Sequence, residues 1–168
     1  MKLLSIDQSS KLNGYAIFED GKLIESGVYQ ALGKKFEERL INLGEWLDNT
    51  LKNNNIQKVC FEEVQYQTKD EVKIEYTGDS NHNTFKRLAQ VQGVFIYICL
   101  KNKVSFDIIS PSIWRKGIGI TDIYRAKQKE KAQTKVLEWY KKKCGDDEAE
   151  AICIGRYFCR KEKVHKII

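Results

Sequence analysis

Residues 2–10 read Lys-Leu-Leu-Ser-Ile-Asp-Gln-Ser-Ser, an apolar run that stops on Asp7 and gives way to a polar turn. This pattern predicts a buried β-strand that ends on an acidic side chain. Acidic residues interrupt apolar stretches at two other places, at Glu62-Glu63 behind residues 59–61 and at residues 146–150 ahead of an Ala-Ile pair. Our hypothesis is that these three acidic positions, far apart in the sequence, meet in space.

Four further strands are predicted after the first. Those over residues 14–18 and 23–28 are joined by the hairpin turn Asp20-Gly21, so the first three strands form an antiparallel meander. The strand over residues 56–62 follows a helix and is expected to pair in parallel with its neighbour, and a fifth strand covers residues 104–109. The sheet is therefore predicted to be five-stranded and mixed, with three antiparallel and two parallel strands.

The helices are predicted from apolar residues that recur every three or four positions. They cover residues 36–51, 84–100, 123–143 and 146–164, together with a short helix that starts at Ser110-Pro111. The residues of the 123–143 helix expected to face inward are Ala132, Val136, Leu137 and Tyr140. Residues 66–83 lack periodicity and predict a long exposed loop beside the acids. The order β-β-β-α-β-α-β-α-α indicates an α/β domain of the ribonuclease-H-like (RNase H-like) layout, with helices flanking the sheet.

Length and composition indicate one globular domain over residues 1–168, large enough to bury a core. The longest apolar run, residues 94–100, is too short to span a bilayer, and the N-terminus is typical of a strand rather than a signal peptide. We therefore expect a cytoplasmic protein with no membrane contact. The five cysteines include no C-x-x-C pair and are expected to be reduced core residues.

The net charge of +6 is distributed unevenly. Residues 101–145 hold 12 Lys and Arg against 4 Asp and Glu, residues 146–155 hold 4 acids and no base, and residues 156–168 are basic again. An acidic cluster between two basic segments is what an enzyme acting on a polyanion needs, although a basic segment is also typical of a solvated helix face.

Clustered carboxylates without histidine or cysteine partners favour hard cations such as Mg²⁺ or Mn²⁺, which act in pairs on phosphodiesters. On the last helix, Glu150 lies three residues after Asp147 and four after Asp146, so either pair shares one face. Complementing the helix dipole explains the acids of the first turn but not Glu150. Strand alternation does not decide between Glu62 and Glu63, which point to opposite faces.

Three motifs carry a resemblance to a known family: Ile-Asp-Gln-Ser-Ser-x-x-x-Gly-Tyr at residues 6–15, Phe-Glu-Glu-Val at residues 61–64, and Asp-x-x-Glu-Ala at residues 147–151. Together they resemble the RuvC-type Holliday junction resolvases, and the wording of the last two is most similar to the small bacteriophage members. The resemblance extends over nearly the whole chain, including residues 89–94 and the turn at residues 117–119.

The resemblance implies a crossover junction endodeoxyribonuclease that nicks strands near the branch point of four-way DNA junctions. It places the catalytic, metal-binding acids at Asp7, Glu62, Asp147 and Glu150, with two Mg²⁺ ions per site for which Mn²⁺ substitutes. The family's usual final Asp is Glu150 here. A phage or prophage protein acting in the bacterial host cytoplasm is expected.

DNA contacts are expected on two groups of residues. The aromatic residue that bacterial members carry three positions after the strand glutamate is Gln65 here, with Tyr66 one place later, and both are expected to meet the junction. The positive charge peaks in the segments that the resemblance places next to the active site, and the phosphate contacts predicted there are Arg115, Lys116, Lys127 and Lys129.

A four-way junction offers two equivalent phosphodiesters, so a symmetric homodimer is expected, with one active site at each. The helix over residues 84–100 is the predicted interface. Because Leu88, Val91 and Phe95 are expected to face the core, the predicted contacts between subunits are Phe85, Gln92 and Ile96.

Three other functions fit parts of the sequence. An RNase H-like nuclease acting on flaps or RNA–DNA hybrids has the same acids, and a junction-versus-hybrid cleavage assay discriminates it. A non-catalytic nucleic-acid-binding module needs only the basic helix, and metal-dependent cutting excludes it. An actin-like ATPase shares the opening Asp and Ser-rich turn, but the chain is too short for paired domains and has no second glycine-rich phosphate loop.

Overall fold

The computed structural model describes residues 1–65 and 80–165, with side chains over residues 1–65 and 83–161. The strands are β1 (Lys2–Asp7), β2 (Leu12–Glu19), β3 (Lys22–Gln30), β4 (Lys58–Glu62) and β5 (Ser105–Ile109). The helices are α1 (Phe36–Asn53), α2 (Ser80–Lys101), α3 (Pro111–Gly117), α4 (Arg125–Tyr140) and α5 (Asp146–His165).

The five strands form one mixed sheet in the order β3-β2-β1-β4-β5. Strands β1, β2 and β3 pair antiparallel, whereas β4 pairs in parallel with β1 on one side and with β5 on the other. The predicted α/β fold, with its meander and its parallel partner for the first strand, is confirmed. Because β1 and β4 are parallel neighbours, their acidic carboxyl ends lie at the same edge of the sheet.

Alternation along β1 sends its side chains into two separate cores. Leu4 and Ile6 pack with β4 residues under α1 and α2, and Leu3 packs on the opposite face under α3, α4 and α5. Ser5, on the same face as Leu3, donates a hydrogen bond of 2.7 Å to the carbonyl of Ala151 in α5. Asp7 follows the same alternation, so the last residue of β1 faces α5.

Helix α5 lies unusually close to the sheet because two glycines leave room for it. A Cβ atom on Gly14 of β2 would stand 1.9 Å from the carbonyl oxygen of Asp147, and one on Gly155 would stand 2.5 Å from Oγ of Ser5. Such separations are far inside van der Waals contact. A side chain at Gly14 would meet the backbone of α5, so the helix would have to move, and one at Gly155 would displace the side chains of Ser5 and Phe18. The two glycines therefore fix how near the first turn of α5 comes to the end of β1.

Three details differ from the predictions. Helix α2 begins at Ser80 rather than at residue 84, so residues 80–83 belong to the helix and not to the predicted loop. The rest of that loop, residues 66–79, lies outside the described residues. Helix α4 ends at Tyr140, and Leu137 is 41% exposed instead of facing inward. The inward seam is Ala132 and Val136, with Tyr140 packed against the same core.

The cysteines are free thiols in the structure, as predicted. Cys60, Cys99 and Cys153 are buried, and burial raises the pKa of Cys99 and of Cys153 to about 12. Cys144 and Cys159 are only partly buried but pack against the same core as Cys153, so the prediction that all five are core residues holds for these two only in part. Among the helices described, none combines the length and apolar character that crossing a bilayer requires.

Candidate active site

Four acidic side chains from three elements face one region beyond the carboxyl edge of the sheet. Asp7 ends β1, Glu62 ends β4, and Asp147 and Glu150 lie in the first turns of α5. The strand ends are brought together by parallel pairing, and the helix is brought in by the glycine contacts described above. These are the four residues that the motifs singled out.

The charges of these residues act on one another. Burial, followed by the neighbouring charges of Glu150, Glu62 and Asp147, raises the pKa of Asp7 well above its usual value. Burial is also the main cause that raises the pKa of Glu62. For Asp147, burial and then the charge of Asp146 raise the pKa in the same direction. An array of carboxylates that disfavour one another's ionisation is a place where added positive charge is stabilising.

The structure separates Glu62 from Glu63. Cys60 packs in the core under α5, and alternation places Glu62 on that same face. The carboxylate of Glu62 accepts hydrogen bonds from Trp114 Nε1 at 3.2 Å and from Arg115 at 2.9 Å. Glu63 is exposed, and its carboxylate accepts a long hydrogen bond from the amide of Gln65 at 3.4 Å. Only Glu62 is directed toward the other acids.

Two arginines supply positive charge inside the acidic cluster. One nitrogen of Arg115 lies 2.9 Å from Glu62 and 3.3 Å from Glu150, so a single guanidinium bridges a strand acid and a helix acid. Arg125 donates to both carboxylate oxygens of Glu150, which is 1% exposed. Burial opposes the charge on Arg125, but its hydrogen bonds to Glu150 and the negative charges of Glu150, Glu62 and Asp7 together raise its pKa.

The donor chemistry of the four acids suits a hard divalent cation, because carboxylate oxygens are the ligands that Mg²⁺ and Mn²⁺ prefer. The raised pKa values of Asp7, Glu62 and Asp147 indicate that a cation bound among these acids would relieve repulsion. Within residues 1–65 and 80–165, however, no three His, Cys, Asp or Glu side chains stand in an arrangement ready to hold a metal ion. Two of the four acids are engaged by guanidinium groups instead, so metal binding requires these arginines to move.

A cleft of about 470 Å³ opens beside Glu62. Its lining mixes acids, amides, cations and apolar side chains, among them Gln8, Glu62, Glu63, Gln65, Leu88, Arg115, Ile123, Arg125 and Gln128. Gln8 donates a hydrogen bond of 2.9 Å to the carbonyl of Glu62, which ties the turn after β1 to the end of β4. The cleft is therefore continuous with the acidic cluster.

The predicted DNA contacts fall into different settings. Lys116 and Lys127 are exposed, whereas Lys129 is paired with Asp146, and its hydrogen bond lowers the pKa of that acid. Arg115 is turned into the acidic cluster with only 12% of its side chain exposed. Gln65 is exposed and donates to Oγ of Ser110 at 3.1 Å. Tyr66 lies outside the described residues, and contact of these residues with DNA stays a prediction.

The predicted dimer contacts are largely engaged within the fold. Ile96 packs against the core under α1 and α2, and Gln92 accepts hydrogen bonds from Gln8 at 3.4 Å and from the backbone of Val64 at 3.3 Å. Phe85 is half-buried. The solvent face of α2 includes other residues, among them the small or apolar Ala89, Gly93, Tyr97 and Leu100 and the polar Lys86, Arg87 and Gln90.

Sequence reasoning missed Arg125 and Trp114 as partners of the acids. Arg125 is one of several cations in a basic segment, and nothing in its spacing marks it as the one that reaches Glu150. Trp114 is fully buried, and its indole nitrogen meets Glu62 while its ring stacks under Arg115 at 4.7 Å. A tryptophan next to an arginine directly after a helix start was the available signal.

Two proteins of known name are similar to this chain in sequence. No family model matches the chain. The crossover junction endodeoxyribonuclease RuvC of Aliarcobacter butzleri (strain RM4018) is 31% identical over 115 residues, which is 66% of this chain and 67% of the relative. The protein of the same name from Wolinella succinogenes is 25% identical over 123 residues, covering 70% and 68% of the two chains.

Solved structures share the fold at lower identity. The structure of Thermus thermophilus RuvC in complex with Holliday junction substrate has a TM-score of 0.74 at 14% identity, over 98% of this chain and 96% of that one. The yeast mitochondrial Holliday junction resolvase has a TM-score of 0.58 at 16% identity, over 96% and 78% of the two chains. With the Aliarcobacter relative, they lead to one conclusion: this chain belongs to the RuvC family of crossover junction endodeoxyribonucleases, with its RNase H-like fold.

Proposed function

We propose that this chain is a metal-dependent endonuclease that resolves Holliday junctions and related branched DNA by nicking strands near the branch point. The observation that carries the proposal is the convergence of Asp7, Glu62, Asp147 and Glu150 in a chain of the RuvC family, which is a family of metal-dependent nucleases. The RuvC relatives are named as crossover junction endodeoxyribonucleases, and the Thermus protein was solved on a Holliday junction.

The four acids would hold the metal, which we propose to be two Mg²⁺ ions per site with Mn²⁺ as a substitute. When bound, such ions supply an activated water and neutralise the charge that develops on the phosphate and its leaving oxygen. Asp7 and Glu62 are held by the ends of neighbouring strands, so the fold fixes their spacing before any ligand arrives. Glu150 is buried at the base of the cluster, where solvent does not screen its charge.

The arginines have a second role in this proposal. In the protein alone, Arg115 and Arg125 are the counter-ions of Glu62 and Glu150. With Glu62 and Glu150 engaged by a cation, both guanidinium groups would be free to bind the phosphates of the substrate, because a guanidinium forms the same paired hydrogen bonds with phosphate as with carboxylate. The exposed Lys116 and Lys127 extend this cationic rim. The residues that we propose to meet the branch point are Gln65 and, next in the sequence, Tyr66.

We further propose a homodimer formed through α2. Support comes from the exposed face of α2, where Ala89 and Gly93 leave a shallow strip beside Tyr97 and Leu100, which are 63% and 62% exposed. Gly93 has open space around its Cα, so another helix could approach closely there. Light scattering that finds only monomers, both free and on a junction, contradicts this part of the proposal.

The site of action we propose is the cytoplasm of a bacterial host, as a phage or prophage protein. The proposal of a phage origin rests on the similarity of Phe-Glu-Glu-Val at residues 61–64 and of residues 146–152 to the small bacteriophage members of the family.

The function is tested by cleavage of a panel of labelled DNAs in Mg²⁺ and in EDTA. Four-way junctions should be nicked in Mg²⁺ and not in EDTA, while linear duplex stays intact. Preferential cutting of RNA–DNA hybrids or flaps points to another nuclease of this fold, and tight metal-independent binding without cutting points to a non-catalytic module.

A further inference from the structure

Two adjacent apolar residues stand in solvent near the acidic site: Ile123, which lines the cleft beside Glu62, and Tyr124, which follows it in the sequence. Ile123 is 91% exposed and Tyr124 is 70% exposed, which makes them the most exposed large hydrophobic residues in the described part of the chain. Leaving this much apolar surface in water forgoes the stabilisation that burial gives other such residues. Single exposed apolar residues are ordinary, but an adjacent pair beside a functional site calls for a ligand.

The exposure of the pair is built into the fold, because the residues on both sides are fixed. The carbonyl of Asp122 accepts a hydrogen bond from Gln128 at 2.6 Å, and its carboxylate pairs with Lys131 at 2.7 Å. On the other side, Arg125 is held by Glu150. The backbone carbonyl of Tyr124 itself accepts the first hydrogen bond of α4, at 3.1 Å. The turn that contains Ile123 and Tyr124 is therefore held in place by contacts on both sides, and both side chains are exposed to solvent.

The residues around Ile123 and Tyr124 indicate which kind of ligand this surface would bind. Ile123 lines the same cleft as Arg115 and Arg125, together with the acids Glu62 and Glu63, the amide of Gln128 and the apolar Leu88. The two arginines are paired with Glu62 and Glu150. Exposed Lys127 follows on the first turn of α4. An apolar and aromatic surface rimmed by cations fits a group that is flat and apolar on its faces and attached to a phosphate, which describes a nucleobase within a strand.

We propose that Ile123 and Tyr124 form a stacking surface for a DNA base that is unpaired or splayed at the branch point, next to the strand that enters the acidic site. This inference rests on the proposed function, because a branch point supplies bases that have lost a stacking neighbour. A second copy of the chain is the other occupant such a surface could take. The cationic rim favours DNA, since a second copy would bring the same positive charges to the contact.

The test is a thermodynamic cycle between protein and DNA, measured as binding without metal. Parent protein and Tyr124→Ala are each titrated with an intact four-way junction and with junctions that carry one abasic nucleotide at each position around the branch point. Tyr124→Phe keeps the ring and serves as the conservative variant. Ile113→Ala is the matched control, because Ile113 is also exposed, at 54%, on α3 and does not line the cleft.

The parent is expected to lose about tenfold in affinity at one abasic position, since stacking of a base on an aromatic side chain has roughly that effect. Tyr124→Ala should lose the same factor on the intact junction and nothing more on the abasic one, while Tyr124→Phe and Ile113→Ala bind as the parent does. The proposal is overturned if the affinity losses from Tyr124→Ala and from the abasic nucleotide multiply when the two changes are combined. It is also overturned if Tyr124→Ala binds the intact junction as the parent does. A shift of Tyr124→Ala from dimer to monomer with its abasic effect unchanged likewise overturns it and assigns the surface to a second copy.

Failure of this inference is distinguishable from failure of the proposed function. If the parent cuts junctions in Mg²⁺ and the cycle shows no coupling, the function stands and the stacking surface does not. If the parent binds junction and linear duplex equally and cuts neither, the function itself fails.

Discussion

Replacing Arg125 with alanine should make the metal-free protein bind divalent cations more tightly. Arg125 donates to both carboxylate oxygens of Glu150, an acid that is 1% exposed and that we propose as a metal ligand. A cation that binds Glu150 has to displace the guanidinium first. The variant removes this competitor, and it also removes a positive charge that repels the incoming ion.

The size of the effect follows from the strength of the bonds that metal must break. Hydrogen bonds between charged groups contribute about 1.5–3 kcal/mol to stability. The side chain of Arg125 is 44% exposed, so solvent screening brings the value toward the lower limit, about 1.5 kcal/mol. Since 1.4 kcal/mol corresponds to a factor of ten in an equilibrium constant, the dissociation constant for Mn²⁺ should fall about tenfold.

The assay is calorimetric titration with Mn²⁺ in the absence of DNA. Lys127→Ala is the matched control. Lys127 is an exposed residue two positions after Arg125, so this variant removes the same charge and should change Mn²⁺ affinity little. Thermal melting supplies a second measurement. In EDTA, Arg125→Ala should melt below the parent because Glu150 is left with Arg115 alone, and saturating Mn²⁺ should close the gap. Unchanged or weaker Mn²⁺ binding by Arg125→Ala refutes the competition.

Three other outcomes are expected. Arg115→Ala combined with Lys116→Ala should weaken junction binding and lower its dependence on the logarithm of salt concentration by up to about two units, measured by fluorescence anisotropy. Gly14→Ala places a Cβ 1.9 Å from the carbonyl oxygen of Asp147, so it should lower the free energy of unfolding by about 1–3 kcal/mol or more and slow cutting, as urea denaturation and cleavage assays will show. Hydrogen bonds from a lysine and an asparagine lower the pKa of Asp48 from 3.8 to about 2. The stabilising contribution of Asp48 is therefore present above pH 4 and is lost as the pH falls toward 2. Asp48→Asn should flatten that part of the acid-unfolding curve.

Much of the fold could be predicted because local patterns and tertiary structure agree. The period of the strands, the Asp20-Gly21 turn and the helix periodicity each define an element without help from the rest of the chain. Leu137 shows where periodicity misleads. It follows Val136 by one residue, about 100° around the helix, and the inward seam runs through Ala132, Val136 and Tyr140 at spacings of four.

The start of α2 escaped prediction for a related reason. Residues 80–84 read Ser-Asn-His-Asn-Thr and hold no apolar side chain, so nothing in them shows a helical period. Their composition is typical of a loop, and the helix extends into it from the apolar residues that follow.

The acids of the candidate site could be located, but their partners could not. Asp7 and Glu62 were visible because an acid at the end of an apolar strand is unusual. Strand alternation alone left Glu62 and Glu63 open, and the choice of Glu62 came from the family resemblance. The physical reason is that Cys60 faces α5, which is a tertiary fact. The pairing of Arg125 with Glu150 joins residues that are 25 apart on two different helices, and only the packing of α4 on α5 determines it.

The central claim is that Asp7, Glu62, Asp147 and Glu150 act as one carboxylate unit, and the most direct test compares Glu62→Gln with Glu63→Gln. Both variants remove one charge from neighbouring residues of the same segment, but only Glu62 faces the other acids. Cleavage of a four-way junction in Mg²⁺ and binding of the same junction in EDTA are measured for each. We predict that Glu62→Gln binds the junction at least as well as the parent and does not cut it, while Glu63→Gln cuts at the rate of the parent. Normal cutting by Glu62→Gln, or loss of cutting by Glu63→Gln alone, contradicts the account.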